Sequence, residues 1–123
     1  MTLTILGDPK TKKNSQRLIR VGARTVPIYS QAYEQYRDDF LRQIRGHMQR
    51  LIAFPVNVQC LYYMRTKRKV DLVNLIEATN DLLVDSKVLL DDNSGIIVSH
   101  DGSRVKYDKQ NPRVEITITE VWQ

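Results

Sequence analysis

The nine residues Val56–Met64 set the strongest limit on what this chain can fold into. Val56, Val58, Cys60, Tyr62 and Met64 alternate with Asn57, Gln59, Leu61 and Tyr63. Successive side chains of a strand point to opposite faces, so this run buries one face. A one-faced strand needs a covering layer. The period changes at residues 71–85. At about 100° per residue, Leu72, Leu75, Ile76, Leu82 and Leu83 fall on one side of a helix, with Thr79 among them. Asp71, Asn74, Glu77, Ala78, Asp81 and Asp85 fall on the opposite arc, so the polar face of this helix is acidic. An earlier helix starts at Ser30 as N-cap and carries Tyr33, Tyr36, Phe40, Ile44 and Met48 at helical spacing. It is expected to end within residues 46–50.

The remaining segments read as strands. Residues 2–6 alternate and stop at Gly7-Asp8-Pro9. Residues 17–28 form a hairpin around Gly22-Ala23. Residues 95–100 and 104–107 form a second hairpin across the Asp101-Gly102 pair. Residues 114–121 alternate as a last strand. The order predicts an α/β (α+β) fold: one domain over residues 1–123, with a single mixed β-sheet and two main α-helices.

Charge is distributed unevenly. The net charge is +5 and the pI about 9.5. Between Asp71 and Asp92, however, six acids face a single base, Lys87, while the rest of the chain holds 18 bases and 8 acids. A basic body around one acidic segment suits a nuclease: cations grip phosphates and carboxylates hold the metal that activates one of them. No apolar run approaches the ~18 residues of a membrane span, and the first residues lack the basic and apolar regions of a signal peptide. Cys60 is the sole cysteine, which excludes an internal disulfide and a cysteine-rich zinc site. Its place on the buried parity makes it structural. His47 and His100 read as structural or solvent-facing. Ser99-His100-Asp101 is not a triad, because neighbours on a strand point apart. The tyrosines and Trp122 are too scattered for a base-stacking platform.

Mg²⁺ prefers hard oxygen ligands and keeps several waters, so one to three carboxylates suffice for each ion. An acidic helical stripe is also the ordinary look of a solvated face, and Asp is favoured at a helix start. Spacing alone does not bring Asp71 and the Asp91-Asp92 pair together.

The run Asp71-Leu72-Val73-Asn74-Leu75-Ile76-Glu77, followed by Asp81, Leu83 and Asp91-Asp92, resembles the core motif of the RusA family of Holliday-junction resolvases. The basic stretch 65–69, the lysine-rich loop after Pro9, the tyrosine-bearing first helix and the last strand are also similar, so the likeness covers nearly the whole chain. Two positions depart from the motif: Val73 stands where the family has a second Asp, and Glu77 where it has a Lys. The resemblance implies a Mg²⁺-dependent endodeoxyribonuclease, with Mn²⁺ able to substitute, that acts as a homodimer on branched DNA such as a four-way junction. It implies a cytoplasmic protein of a bacterium or phage-infected host, with no membrane partner and no small-molecule cofactor. By position, Asp71 and Asp92 carry over as metal ligands. Glu77 is read as a compensating carboxylate for Val73, with Asp91 and Asp81 as supporting or alternative ligands. The expected catalytic set is thus Asp71, Glu77, Asp91 and Asp92, and the metal set Asp71, Glu77, Asp81 and Asp92. Lys10, Lys12, Lys13, Arg17, Arg65, Lys67, Arg68 and Lys69 are the expected DNA-gripping cations.

Overall fold

The computed structural model describes residues 1–12 and 16–122, with the backbone only for residues 16, 17, 19 and 26–28. Its centre is the alternating strand β4 (Val56–Met64), with Val56, Val58, Cys60, Tyr62 and Met64 buried and the other parity half-buried. On one side β4 pairs antiparallel with β7 (Arg113–Glu120), and β7 pairs antiparallel with β1 (Thr2–Leu6). β2 (Gln16–Val21) and β3 (Arg24–Tyr29) form a separate antiparallel hairpin, turning at Gly22-Ala23 as expected. Among the described residues no helix is long and apolar enough to cross a membrane.

The other edge of β4 departs from expectation. β5 (Ile97–Ser99) and β6 (Arg104–Tyr107) do not pair with each other as a hairpin; both run parallel to β4, one after the other along the same edge. Asn57 explains the detour. Its side-chain oxygen accepts from the Asp101 N–H (2.8 Å), and its amide donates to the Asp101 carbonyl (3.2 Å). The Ser103 hydroxyl oxygen then accepts from the Cys60 N–H (3.0 Å). The 100–103 segment is thereby clamped as an outward loop, and the chain rejoins the edge in its original direction. Gly102 sits in that loop at φ +85°, where a Cβ would run into the Gln59 side chain.

Two helices accompany the sheet. α1 (Gln31–Gln43) starts at Ser30, whose Oγ accepts from the Tyr33 N–H. It ends a turn earlier than its apolar spacing predicts, because Ile44 is extended and only a 3₁₀ turn, Gly46–Met48, follows. The Gln43 side chain instead bonds both backbone groups of Leu6, tying the end of α1 to β1. α2 (Leu72–Asp85) is capped by Asp71 and buries Leu75, Ala78, Thr79, Leu82 and Leu83. Ala78, expected on the acidic arc, is 1% exposed. α1 also touches α2, so the buried arc is wider than the large apolar residues mark out. The Tyr62 hydroxyl donates to Thr79 Oγ1 (2.7 Å), which donates to the Leu75 carbonyl (3.0 Å), pinning α2 to β4.

Lys87, at φ +68°, ends the helical course. Residues 87–90 then pair with Leu51 and Ile52 through three backbone hydrogen bonds and a parallel bridge, Ile52 to Leu89. This tether directs the chain into the Asp91-Asp92 loop.

Candidate active site

The exposed side of α2 brings Asp81 and Asp85 together, four residues and about one helical turn apart. The loop after the helix adds Asp92, and the segment before β2 adds Lys12. These four and Val84 line a depression of about 300 Å³. The Lys12 ammonium donates to Asp81 Oδ2. Partial burial disfavours its charge, yet the Asp81 hydrogen bond and field outweigh that and hold the ammonium above its ordinary pKa, with Glu77 adding to the field. Asp92 is pushed above the usual carboxylate range, first by desolvation and then by the negative charges of Asp81 and Asp91. The Tyr33 hydroxyl, raised to about 12 mainly by burial, also feels Asp81 and Asp85. The depression is therefore a place where negative charge is crowded and only partly neutralised.

The expected site residues divide. Asp81 and Asp92 come together, and Glu77 lies within electrostatic reach of Lys12. Asp71 does not join them. Its carboxylate accepts from the Val73 and Asn74 N–H groups as the α2 cap (2.9 and 3.4 Å). Ten residues of helix place it about 15 Å from Asp81 along the axis. Asp91 is turned to its own loop: it accepts from the Asp92 N–H (2.7 Å) and the Asn93 amide (3.1 Å), which lower its pKa. Among the described residues, no three His, Cys, Asp or Glu groups are gathered closely enough to hold an ion as they stand. The acids lie as a stripe along α2, concentrated at its C-terminal half. The donor chemistry fits a hard divalent cation, and Asp92 is the carboxylate whose crowding such a cation would relieve most directly.

Asp85 is absent from the expected set, although its spacing from Asp81 placed it on the same face. Asp8 is also absent. Its carboxylate accepts from the Arg65 N–H (2.9 Å) and from Lys10 Nζ (3.2 Å), fastening the N-terminal loop to the basic stretch. No sequence pattern links residues 57 apart, so this contact was legible only in three dimensions. Of the expected DNA-gripping cations, Lys10 is paired to Asp8 and Lys12 to Asp81. Arg65, Lys67, Arg68 and Lys69 lie exposed on the loop after β4, and Lys67 rests over the Tyr107 ring (5.2 Å). Lys13 and the Arg17 side chain lie outside the described residues.

Cys60, Ser99 and His100 are engaged by the fold, while His47 and Trp122 are exposed. The Cys60 thiol is buried and its pKa pushed up to about 11 by desolvation. His100 Nδ1 bonds the Val58 carbonyl (2.9 Å), and Nε2 faces the Asn80 amide (3.3 Å). The Ser99 hydroxyl donates to Asn57, away from His100.

Residues 7–119 match the family model described as Endodeoxyribonuclease RusA. No curated protein matches the chain. The match takes in β4, the basic loop, α2 and the Asp91-Asp92 loop together, and with them both walls of the acidic depression: the chain belongs to the RusA family of endodeoxyribonucleases.

Proposed function

We propose that this protein is a Mg²⁺-dependent endodeoxyribonuclease that resolves four-way DNA junctions by paired nicks, acting as a homodimer. The observation that supports it most is the depression of Asp81, Asp85 and Asp92 beside Lys12, set in a basic body. In this reading Asp81, Asp85 and Asp92 would draw together around the ion, with Glu77 alongside, while Asp71 caps the helix that presents them. A bound Mg²⁺ supplies positive charge opposite the charge that develops on the reacting phosphate. The residues of the chain position that phosphate. Arg65, Arg68 and Lys69 hold the strand by its backbone, and Lys12 orients Asp81 through their hydrogen bond. A two-fold dimer sets two such sites on equivalent strands, which suits paired cuts.

The test is a synthetic four-way junction incubated with the protein in Mg²⁺, Mn²⁺ or EDTA. The expected result is metal-dependent paired nicks leaving 5′-phosphate and 3′-hydroxyl ends. Tight binding with the junction intact in both metals would overturn the enzymatic reading. It would favour a second one, a non-catalytic junction-binding protein of the same fold. The observation on that side is Val73, which is 69% exposed and carries no metal-binding atom where the family motif has an Asp. Forks, flaps and linear duplex assayed in parallel separate junction preference from a flap- or branch-specific nuclease.

A further inference from the structure

Beside the acidic depression lies a second, larger cleft of about 540 Å³, within the size range of pockets that hold small ligands. It separates the N-terminal loop, the first turn of α1 and the basic loop after β4. Its base is apolar: Pro9, Met64 and Leu75 are buried there. Its rim is cationic on one side, where Arg68 and Lys69 stand, and on the other Lys10 is paired with Asp8. Arg68 and Lys69 make no ion pair among the described residues. The start of α1, a helix of 13 residues, also opens onto the cleft through Ser30 and Ala32 and adds its positive end to that rim.

We propose that this cleft receives one unstacked nucleotide of the branched DNA, its base on the apolar floor and its phosphate on the cationic rim. The combination selects that occupant. An apolar floor alone would suit many ligands, and a cationic rim alone would suit any polyanion. A flat apolar body joined to an anionic group matches both, and a nucleotide is the unit of the substrate that has this form. The two depressions share a wall. Thr11 lines the cleft and Lys12, the next residue, lines the acidic depression. Tyr33 lines the cleft while its hydroxyl sits in the field of Asp81 and Asp85. A nucleotide seated in the cleft therefore leads its neighbouring phosphodiester toward the carboxylates. Extrusion costs a few kcal/mol from a paired stack and least where pairing is already broken, so the cleft favours branch points over linear duplex. It supplies base contacts at one position beside the cut, and with them a source of sequence preference.

The inference rests on the nuclease reading, and the experiment separates the two. The fluorescent base 2-aminopurine is placed in turn at each nucleotide flanking the branch of a synthetic junction. Fluorescence is read in EDTA, so that no cutting occurs, at protein concentrations shown by anisotropy to saturate binding. The expected result is a rise at one position with the wild-type protein. Ala32→Phe, which puts a ring into the cleft from α1, and Thr66→Phe, which does so from the opposite wall, each abolish the rise at saturation. Two fillers on different elements keep the test decisive if one of them fails to fold. Saturated binding with no rise at any position, or a rise that both folded variants retain, overturns this inference and leaves the nuclease reading standing. No binding of the wild-type protein to the junction overturns both.

Discussion

The link between Tyr62 and Thr79 gives a prediction whose size can be worked out from the geometry. Tyr62 is fully buried and Thr79 is 2% exposed. Thr79 spends its hydroxyl proton on the Leu75 carbonyl, so Tyr62 is the donor in the bond between them. Thr79→Val preserves shape but removes the acceptor. The Tyr62 hydroxyl is then buried with only the neighbouring Cys60 sulfur, a weak acceptor, in reach. An unsatisfied buried hydroxyl costs about 1–3 kcal/mol, and a value near 2 is expected here. Tyr62→Phe deletes the donor and leaves Thr79 bonded to Leu75, for a loss of about 1 kcal/mol. The double variant replaces both partners with apolar groups of similar shape and leaves no orphan, so it loses only about 1 kcal/mol rather than the sum. In a chain of this length each kcal/mol moves the melting temperature by about 4 °C. The assay is urea unfolding of the four proteins followed by circular dichroism, with unchanged m-values as the check that the states are the same. A double variant as unstable as the two single variants added together would refute the account of α2 being fixed by this bond, and with it the basis for placing Asp81, two residues on.

Three further outcomes are expected. Asp92 binds its proton more tightly in the folded chain than its ordinary value of 3.8, so its ionised form works against folding once the pH is above the raised value. Asp92→Asn should therefore melt above the wild type at pH 7 in EDTA, with the gain shrinking to nothing as pH falls below 3.8; a gain that persists in acid would exclude charge crowding as its source. Arg68→Gln with Lys69→Gln should weaken junction binding and flatten its salt dependence by about one logarithmic slope unit per charge, measured by anisotropy across a salt series; an unchanged slope would remove both from the DNA-gripping set. Gly102→Ala should cost about 1–2 kcal/mol in urea unfolding, because a Cβ is strained at φ +85° even if Gln59 moves aside.

The elements could be read from the sequence because each is specified by neighbours. Period two from Val56 to Met64 and period 3.6 from residue 71 onward are local patterns, and the structure carries both. The course of β5 and β6 was not legible in that way. Asp101-Gly102 has the chemistry of a hairpin turn, but the turn's pairing is decided by Asn57, more than 40 residues earlier. The end of α1 at Gln43 is set in a similar way. Ile44 and Met48 continue the helical spacing, while the tie between Gln43 and Leu6 stops the helix against β1.

The site divides along the same line. That α2 has an acidic face follows from spacing, and so does the proximity of Asp81 to Asp85. Which end of that face meets Lys12 and Asp92 does not, because a helix separates its ends by 1.5 Å for every residue. Asp92 goes to the far end from Asp71 because Leu51 and Ile52 capture residues 87–90 and turn the loop back beside Asp81. Lys12 arrives from a segment 69 residues away. The departures at Val73 and Glu77 acquire a physical sense from this. With the carboxylates concentrated near Asp81, a position at the first turn of α2 is far from the crowded charge, and Val73 does not line the depression. Glu77 stands between the two ends, where a carboxylate adds to the field holding Lys12 in place. A lysine at that position would instead set a second ammonium near the first and compete with it for the carboxylates both would need.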